Sequence, residues 1–330
     1  MNSSPSLTVL MPVYNAGPHI REAIESILAQ THADFELLII DDGSKDDSAA
    51  TISSYTDARI RFVRNEQNLG LIATLNKGLA EANGELIARM DQDDIALPER
   101  LALQLAAFRR EPDLIALGTS LTLMNVRGKT VGELPVLTGH EQIKRALAVT
   151  NPFAHPSMMF KRAAALEVGG YHKEAYATED YDLWTRLSDL GPVANLKERL
   201  LRYRLNPKGM SISLRTAQRE NAAAIAEREW AKYGQAGPAP TKDWDSIWPS
   251  RRGLDGAARL NYANLHLLFA KGYRKRGAWF VCWAHAMTAV AWAPFNRSAY
   301  FALLMFVMPY DRYYRLEERI AGALDHVRAG

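Results

Sequence analysis

The sequence predicts an α/β protein with a mostly parallel sheet flanked by helices, followed by a helical C-terminal region. Short apolar runs typical of buried strands alternate with helical spacing of apolar residues from residue 7 to beyond Pro98. Acidic clusters directly follow two of these runs, and open α/β sheets bind ligands at the carboxyl ends of their strands. The two observations together predict a ligand-binding crevice.

Four strand-helix units open the chain. The predicted strands are residues 7–13, 35–40, 60–63 and 86–90, and the predicted helices are residues 18–30, a segment through 52, about 71–82, and one that Pro98 opens.

The second part of the chain is less regular. Residues 115–124 predict a strand, residues 125–129 a turn, and two prolines keep residues 151–156 from being helical. A helix is expected from near Glu179 to before Gly191, with Leu183, Trp184 and Leu187 on its buried face. The pattern of residues 212–233 predicts another helix, and residues 234–240 are expected to form a linker. Beyond the linker the sequence predicts only helices.

Composition excludes several classes of protein. The 330 residues are 48% apolar and 23% charged and include one cysteine, which argues against a disordered chain, a collagen-like rod and a disulfide scaffold. The first residues have no basic segment before the first strand, so we predict no secretory signal and a cytoplasmic location.

Charge is unevenly distributed along the chain. Residues 251–330 hold 12 Lys or Arg and 5 Asp or Glu, although the whole chain carries only +3. Six of the seven Trp residues lie beyond residue 229. A basic, aromatic tail suits an anionic membrane surface or nucleic acid, and composition alone does not choose between them.

Three carboxylates follow the fourth predicted strand, in Asp91-Gln92-Asp93-Asp94. Alternate carboxylates at a strand end project to the same side, and such hard oxygen ligands suit Mg²⁺ or Mn²⁺ bound together with phosphates. The alternative is that Asp94 caps the next helix and the others are merely solvated.

A second acidic strand end, Asp41-Asp42, is expected in the same crevice, beside the end of the first strand. There Tyr14 offers a ring face to a nucleobase and Asp42 a hydrogen-bond acceptor, although Asp-Gly-Ser is also good turn sequence. No G-x-G-x-x-G or G-x-x-x-x-G-K-[ST] motif is present, which weakens a dinucleotide-dependent oxidoreductase or a P-loop enzyme.

These motifs, taken in order, resemble glycosyltransferase family 2 over roughly residues 7–213. The resemblance implies a GT-A fold, a nucleotide-sugar donor, a divalent metal and inversion at the sugar carbon. Its motifs here are VLMPVYN at 9–15, IDDGS at 40–44, NLG at 68–70, ARMDQDD at 88–94, PER at 98–100 and EDYDLW at 179–184.

The resemblance also implies roles for single residues. Asp42 matches the aspartate that recognises the base, Asp91 the one near the donor ribose, and Asp93 the metal ligand. Asp180 matches the general base, while the alternative for the acidic residues 179, 180 and 182 is that they complement the helix dipole. Donor contacts are also expected from the end of the first strand, at Pro12, Tyr14 and Asn15.

Two further segments are similar to the family near its donor and acceptor sites. The segment 151–157 contains His155, which, with Glu179, is a candidate for the donor or acceptor site. Relatives often end the catalytic domain with Tyr-Arg-x-His, but Asn206 stands at the His position here. Arg204 is therefore expected to contact the donor phosphate.

The tail contains two apolar runs, at residues 279–293 and 300–309, each shorter than the roughly 20 residues of a membrane-spanning helix. Basic residues at 274–276 precede the first run, as in interfacial helices. Packing of these helices as core is the equal alternative. Our hypothesis is that the tail docks on an anionic membrane surface.

We therefore expect a catalytic domain at 1–213 and a helical region at 214–330. The predicted activity is a Mn²⁺- or Mg²⁺-dependent inverting glycosyltransferase, with a UDP-sugar as the preferred donor and a glycan or lipid-linked acceptor of surface polysaccharide synthesis. It would be cytoplasmic and peripheral on the inner membrane face, with no nucleic-acid partner. The alternatives are a sugar-phosphate nucleotidyltransferase, whose usual glycine-rich basic opening loop is missing, and a catalytically silent binding module.

Overall fold

The computed structural model describes residues 7–134, 136–148, 150–204 and 215–232, and they form nine strands and eight α-helices. The strands are β1 Leu7–Val13, β2 Glu36–Asp41, β3 Ile60–Arg64, β4 Leu86–Arg89, β5 Ile95–Ala96, β6 Ala116–Met124, β7 Thr130–Leu134, β8 Met159–Lys161 and β9 Val193–Arg204. The helices are α1 Ile20–Leu28, α2 Ser48–Ser53, α3 Leu71–Glu81, α4 Arg100–Arg110, α5 His140–Leu147, α6 Arg162–Glu167, α7 Glu179–Leu190 and α8 Arg215–Lys232.

The strands form one mixed sheet in the order β3-β2-β1-β4-β8-β6-β9-β5, with β7 paired to β6. Strands β1 to β4 pair in parallel, β6 is parallel to β9, and β8 joins the two groups by antiparallel pairing with β4 and β6. The carboxyl ends of β1, β2 and β4 therefore lie at one edge of the sheet, and they bring the first and second acidic clusters together.

The core lies on both faces of the parallel strands. Every residue of β1 and β2 is buried, as expected for strands covered by helices on both sides. Helix α1 buries its apolar stripe, Ile20, Ala23, Ile24 and Ile27, and α7 buries Leu183, Trp184 and Leu187 completely. Burial of these side chains drives the packing of helix on sheet.

A polar network closes the opposite edge of the sheet, around Glu36, which is 6% exposed. Its carboxylate accepts hydrogen bonds from Thr8 Oγ1 at 2.6 Å, Asn83 Nδ2 at 2.6 Å and Arg61 Nε at 2.6 Å. Burial would raise the pKa of Glu36, but these bonds outweigh it and hold the pKa below its ordinary value. The charge is thus stabilised far from the crevice.

The predicted α/β class and the first four strands are confirmed, with strand boundaries that differ by at most one residue. Helix α4 begins at Arg100 rather than at Pro98, and Asp94 does not cap it, since the residue before the helix is Glu99 with no side-chain cap bond. The sequence pattern does not predict strands β5, β7, β8 and β9 or helices α5 and α6. The predicted helix at 212–233 corresponds to α8, which contacts α7.

The predicted linker, the apolar runs and the basic tail lie outside the described residues, so the division at residue 213 stays a prediction. Within the described ranges, no helix is both long and apolar enough to cross a membrane.

Candidate functional site

Asp42 lies at the end of β2, almost fully buried, and it organises the loop before α3. Its Oδ1 accepts hydrogen bonds from Asn65 Nδ2 at 2.8 Å and from the Leu69 backbone N–H at 2.8 Å, and its Oδ2 accepts one from the Gly70 N–H at 2.9 Å. Three donors leave part of the four-site acceptor capacity of the carboxylate unused. Asp42 therefore fixes the loop and keeps unused acceptor capacity for one more donor.

The end of β1 is bound to both acidic loops. Tyr14 donates its N–H to Gln92 Oε1 at 2.7 Å, and Gln92 Nε2 donates to the Tyr14 carbonyl at 3.2 Å. Asn15, in a left-handed conformation with φ 48°, accepts from the Lys45 N–H at 2.9 Å. The Tyr14 ring is 40% exposed, next to buried Pro12, so it offers an aromatic face at this edge.

The three carboxylates after β4 lie in different environments. Asp91 is partly exposed and forms an ion pair with Arg89, and Asp93 is half-buried. Asp94 is 1% exposed, and its Oδ1 accepts the Arg204 N–H at 2.7 Å. Burial, with the carboxylates of Asp91 and Asp93 nearby, raises the pKa of Asp94 well above its ordinary value. Asp94 joins the loop to β9, while Asp91 and Asp93 are partly exposed.

Asp91 and Asp93 would supply only some of the ligands that a divalent ion needs. Across the described ranges, no three His, Cys, Asp or Glu side chains are grouped closely enough to hold an ion by themselves. Mg²⁺ and Mn²⁺, however, are commonly held by one or two carboxylates together with substrate phosphates. The donor set here, two accessible carboxylate side chains at a strand end, fits that mode.

The guanidinium of Arg204 is committed to protein acceptors. Nε donates to the Asp93 carbonyl at 2.7 Å, Nη1 to the Val126 carbonyl at 3.1 Å, and Nη2 to Glu22 Oε2 at 2.6 Å. The side chain is 1% exposed. This geometry favours a structural role, holding the acidic loop against α1, over the expected contact with a donor phosphate. Asn206 lies outside the described residues.

Asp180 lies in the first turn of α7 and is half-buried. Its Oδ2 accepts Asn151 Nδ2 at 2.9 Å, and its Oδ1 accepts the Tyr181 N–H at 2.7 Å. Burial raises the pKa of Asp180 to about 6, although these two bonds and the charge of Arg89 oppose the rise. An oriented carboxylate that is more basic than ordinary, and still reachable, can accept a proton near neutral pH.

Glu179 is more deeply buried, at 6% exposure, and its Oε2 has no hydrogen-bond partner among the residues that the structure describes. Burial and the neighbouring Asp180 carboxylate raise the pKa of Glu179 to about 7. The unpartnered oxygen makes it a candidate for contact with a bound molecule.

His155 lies in a 3₁₀ turn and packs into an aromatic cluster. Its Nε2 shares a hydrogen bond of 2.9 Å with the Tyr171 hydroxyl, and its ring meets Trp184 edge-on with centroids 5.8 Å apart. Burial, with the charge of Arg89, lowers the pKa of His155 well below its ordinary value. His155 is therefore a neutral imidazole beneath the site.

Arg89, whose role the sequence reasoning missed, is the buried cation between the two acidic groups. It is 2% exposed and pairs with Asp91, and within the described part of the chain its Nε has no hydrogen-bond acceptor. Its charge opposes the rise in pKa that burial causes at Asp180 and Glu179. A charged residue inside an apolar strand is the signal that could have revealed it, because buried arginines are nearly always paired.

The structure thus gathers most of the predicted residues at one edge of the sheet. Tyr14 is bonded to Gln92 in the acidic loop, Asn15 to Lys45 in the loop after β2, and the Asp42 N–H to the Val13 carbonyl at the end of β1. Arg89 links the acidic loop electrostatically to Asp180 and Glu179. Asn151, which orients Asp180, entered the prediction only as part of a segment.

Comparisons with known proteins find similarity to one enzyme family. The model of the family described as Glycosyl transferase family 2 matches residues 8–169. The O-antigen biosynthesis glycosyltransferase WbnJ of Escherichia coli is 36% identical over 232 residues, 69% of this chain and 86% of that protein. The amylovoran biosynthesis glycosyltransferase AmsE of Erwinia amylovora is 32% identical over 203 residues, 60% of this chain and 75% of that protein.

Solved structures with the same fold include S. aureus TarS 1-349 in complex with UDP-GlcNAc, with TM-score 0.55 and 16% identity over 96% of this chain and 92% of that one. Another is the mannosyltransferase PcManGT from Pyrobaculum calidifontis in complex with GDP-Man and Mn²⁺. Its TM-score is 0.54 and its identity is 19%, and the match covers 98% of this chain and 87% of that one. At these identities the likeness concerns the fold, which is the GT-A arrangement of these enzymes.

Proposed function

The chain belongs to glycosyltransferase family 2, and we propose that it is a metal-dependent inverting enzyme of surface polysaccharide synthesis. It transfers a sugar from a nucleotide-sugar, which we expect to be a UDP-sugar, to a hydroxyl group of a glycan or lipid-linked acceptor. The relatives named for O-antigen and amylovoran biosynthesis support this class of product. Structural neighbours in complex with UDP-GlcNAc and GDP-Man support this class of donor.

The observation that carries the proposal is the geometry of Asp180. Asn151 and the Tyr181 N–H fix both of its oxygens, and each oxygen keeps a lone pair for a further donor. With a pKa of about 6, the carboxylate is mostly ionised at pH 7 yet more basic than an ordinary aspartate. Those are the properties that a general base needs in order to take the proton of an acceptor hydroxyl.

In the proposed reaction, Asp180 removes that proton as the hydroxyl oxygen attacks the anomeric carbon and the bond to the diphosphate breaks. Asp42 accepts an N–H of the nucleobase with its remaining acceptor capacity, and the exposed Tyr14 ring packs on the base. Pro12 and Asn15 shape that pocket, and Asp91 binds near the ribose. Glu179 and His155 support the acceptor side.

Asp93, with Asp91 beside it, would hold a Mn²⁺ or Mg²⁺ ion. Such an ion, when bound, neutralises the charge that develops on the departing diphosphate.

The proposal includes peripheral attachment to the cytoplasmic face of a membrane through the basic, aromatic tail. This placement would bring the crevice to a lipid-linked acceptor. The residues that would carry it lie outside the described ranges.

Nucleotide release from a panel of UDP-, GDP- and dTDP-sugars, each with Mn²⁺, Mg²⁺ or EDTA, tests the proposal. We expect one donor to release nucleotide, EDTA to abolish the release, and Asp180→Asn to lower it at least about 100-fold with the donor still bound. Asp189→Asn, on the same helix but in a surface ion pair with Lys232, is the matched control. Release that Asp180→Asn leaves unchanged would contradict the assigned base.

A further inference from the structure

Helix α8 follows the sheet, and one of its faces lies against α7. Asn221, Arg228 and Lys232 share that face, since they are spaced by seven and four residues. Each makes a hydrogen bond or ion pair to α7 or to the segment before it. The helix therefore touches the element that carries Asp180.

The strongest of these contacts is centred on Asp182, which is 2% exposed. Arg228 Nη1 donates to its Oδ1 at 2.7 Å, and Arg186 Nη2 donates to its Oδ2 at 2.7 Å. His172 Nδ1 lies 3.2 Å from the same Oδ2. Burial would raise the pKa of Asp182, but the two arginines more than offset it and keep the pKa below its ordinary value.

Arg228 makes more than one bond. Its Nη2 donates to Thr185 Oγ1 at 2.7 Å, and its Nε donates to Glu229 Oε1 at 2.9 Å. The planar guanidinium thus spans two successive positions on one face of α7, which a point charge could not do.

Asp182 and Asp180 face opposite sides of the same helical turn. Residues two positions apart on an α-helix lie about 200° apart around its axis. The ion pair at Asp182 therefore holds the back of the turn whose front carries Asp180. Rotation of α7 about its axis would break the ion pair at Asp182 and displace Asp180.

A second contact from α8 holds the segment that leads into α7. Residues 175–178 form a type II turn, with Tyr176 at φ −47° and ψ 132°, Ala177 at φ 65°, and a 2.8 Å bond from the Thr178 N–H to the Ala175 carbonyl. Glycine is the usual residue at the position of Ala177, so this turn is strained. Asn221 Nδ2 donates to the Tyr176 carbonyl at 2.7 Å and holds it.

We propose that Arg228 is a positioning residue for the base: with Asn221, it fixes the turn 175–178 and the first turn of α7, so that Asp180 is presented to the crevice at a fixed angle. The inference rests on the proposed role of Asp180 as the general base. It extends the catalytic unit through α8, beyond the boundary that sequence motifs indicated at residue 213.

Two variants of the full chain, Arg228→Met and Asn221→Ala, test the proposal against the control Lys232→Met. Lys232 pairs with Asp189 across the same two helices, with side chains 43% and 42% exposed, but far along α7 from its first turn. The measurements are hydrogen exchange of backbone amides in residues 172–182, the Kd for UDP, and the kcat for nucleotide release.

We expect exchange in residues 172–182 to rise at least about fivefold in both variants, with no change in residues 7–41. The kcat should fall about tenfold, because a displacement of a fraction of an ångström already slows proton transfer, while the Kd for UDP stays unchanged. Arg228→Lys keeps the positive charge but not the planar guanidinium, so its kcat should lie between that of Arg228→Met and that of the wild type. Lys232→Met should resemble the wild type in all three measurements.

Two outcomes would overturn the inference: exchange in residues 172–182 that Arg228→Met and Asn221→Ala leave unchanged, or a Kd for UDP that rises as much as kcat falls. If Arg228→Met is too unstable to study, Asn221→Ala alone tests the inference, because it leaves the ion pairs of Asp182 intact. If the wild-type protein releases no nucleotide, that result contradicts the proposed function and not the role of Arg228. Hydrogen exchange still tests the role of Arg228, because it needs no substrate.

Discussion

Three acidic residues begin helix α7, and each has different partners. Glu179 is buried, and one of its oxygens finds no hydrogen-bond partner in the described ranges. Asp180 is oriented by Asn151, and Asp182 is neutralised by two arginines. Acidic side chains in a first turn favour the helix dipole whatever else they do. Burial and partner charge, rather than residue type, separate the candidate base from the carboxylate that holds the helix.

Arg89 connects the two acidic groups at the scale of single residues, and the variant Arg89→Met tests its electrostatic effect. Activity needs ionised Asp180, so it should fall as pH drops through about 6. Because the charge of Arg89 lowers the pKa of Asp180, its removal should raise that pKa and move the acidic limb to higher pH. Nucleotide release measured from pH 5 to pH 8 checks this.

The control for Arg89→Met is Arg61→Met, which removes an arginine paired with Glu36 at the opposite edge of the sheet. It should leave the position of the acidic limb unchanged. An acidic limb that stays in place in Arg89→Met would show that the charge of Arg89 does not reach the base.

Asp93→Ala should remove the dependence of donor binding on metal, because Asp93 is the proposed ligand. Calorimetric titration with UDP, with Mn²⁺ and with EDTA, measures it. We expect the wild type to bind more tightly with Mn²⁺ and the variant to bind equally weakly in both conditions. If the affinity of Asp93→Ala for UDP still rises with Mn²⁺, Asp93 is not the metal ligand.

At the scale of elements, the loops after β1 and β2 contain two glycines with positive φ, Gly43 at 71° and Gly17 at 61°. A Cβ added at Gly43 would lie 2.7 Å from the Gln67 carbonyl carbon and 2.9 Å from the Asn68 nitrogen, whereas one at Gly17 meets nothing within 4 Å. Gly43 thus allows the close approach of the two loops that surround Asp42.

Gly43→Ala should destabilise the protein by about 3 kcal/mol, as left-handed strain and a backbone clash add up. Gly17→Ala, which has only the strain, should cost about 1 kcal/mol. Urea unfolding measures both. Affinity for UDP should fall in Gly43→Ala alone, because only that variant moves the loop that donates to Asp42; equal effects of the two variants would contradict this account.

Element boundaries were predictable where periodicity is regular. Strands β1 and β2 are continuous apolar runs, and α7 has its buried residues at helical spacing. Strand β9 escaped prediction because its residues 197–199 are consecutively exposed at an irregularity in the pairing with β6, which interrupts any alternation.

At the scale of the whole molecule, the basic tail predicts attachment to an anionic membrane. Full-length protein should float with vesicles that contain anionic lipid, whereas a chain that ends at residue 236 should not. High salt should weaken the association, since surface charge attraction is screened. Equal absence of both chains from the vesicle fraction would count strongly against membrane docking.

The α/β class, the first four strands, the family and the acidic motifs could be predicted from the amino-acid sequence, because strand and helix periodicity and strand-end motifs are local in the chain. The partners of each carboxylate become visible only in the folded chain. Asp94 meets a backbone N–H 110 residues away, Asp182 meets Arg228, and Asp180 meets Asn151. The charge and basicity of a carboxylate depend on burial and on such distant partners, which packing brings together and local sequence does not specify.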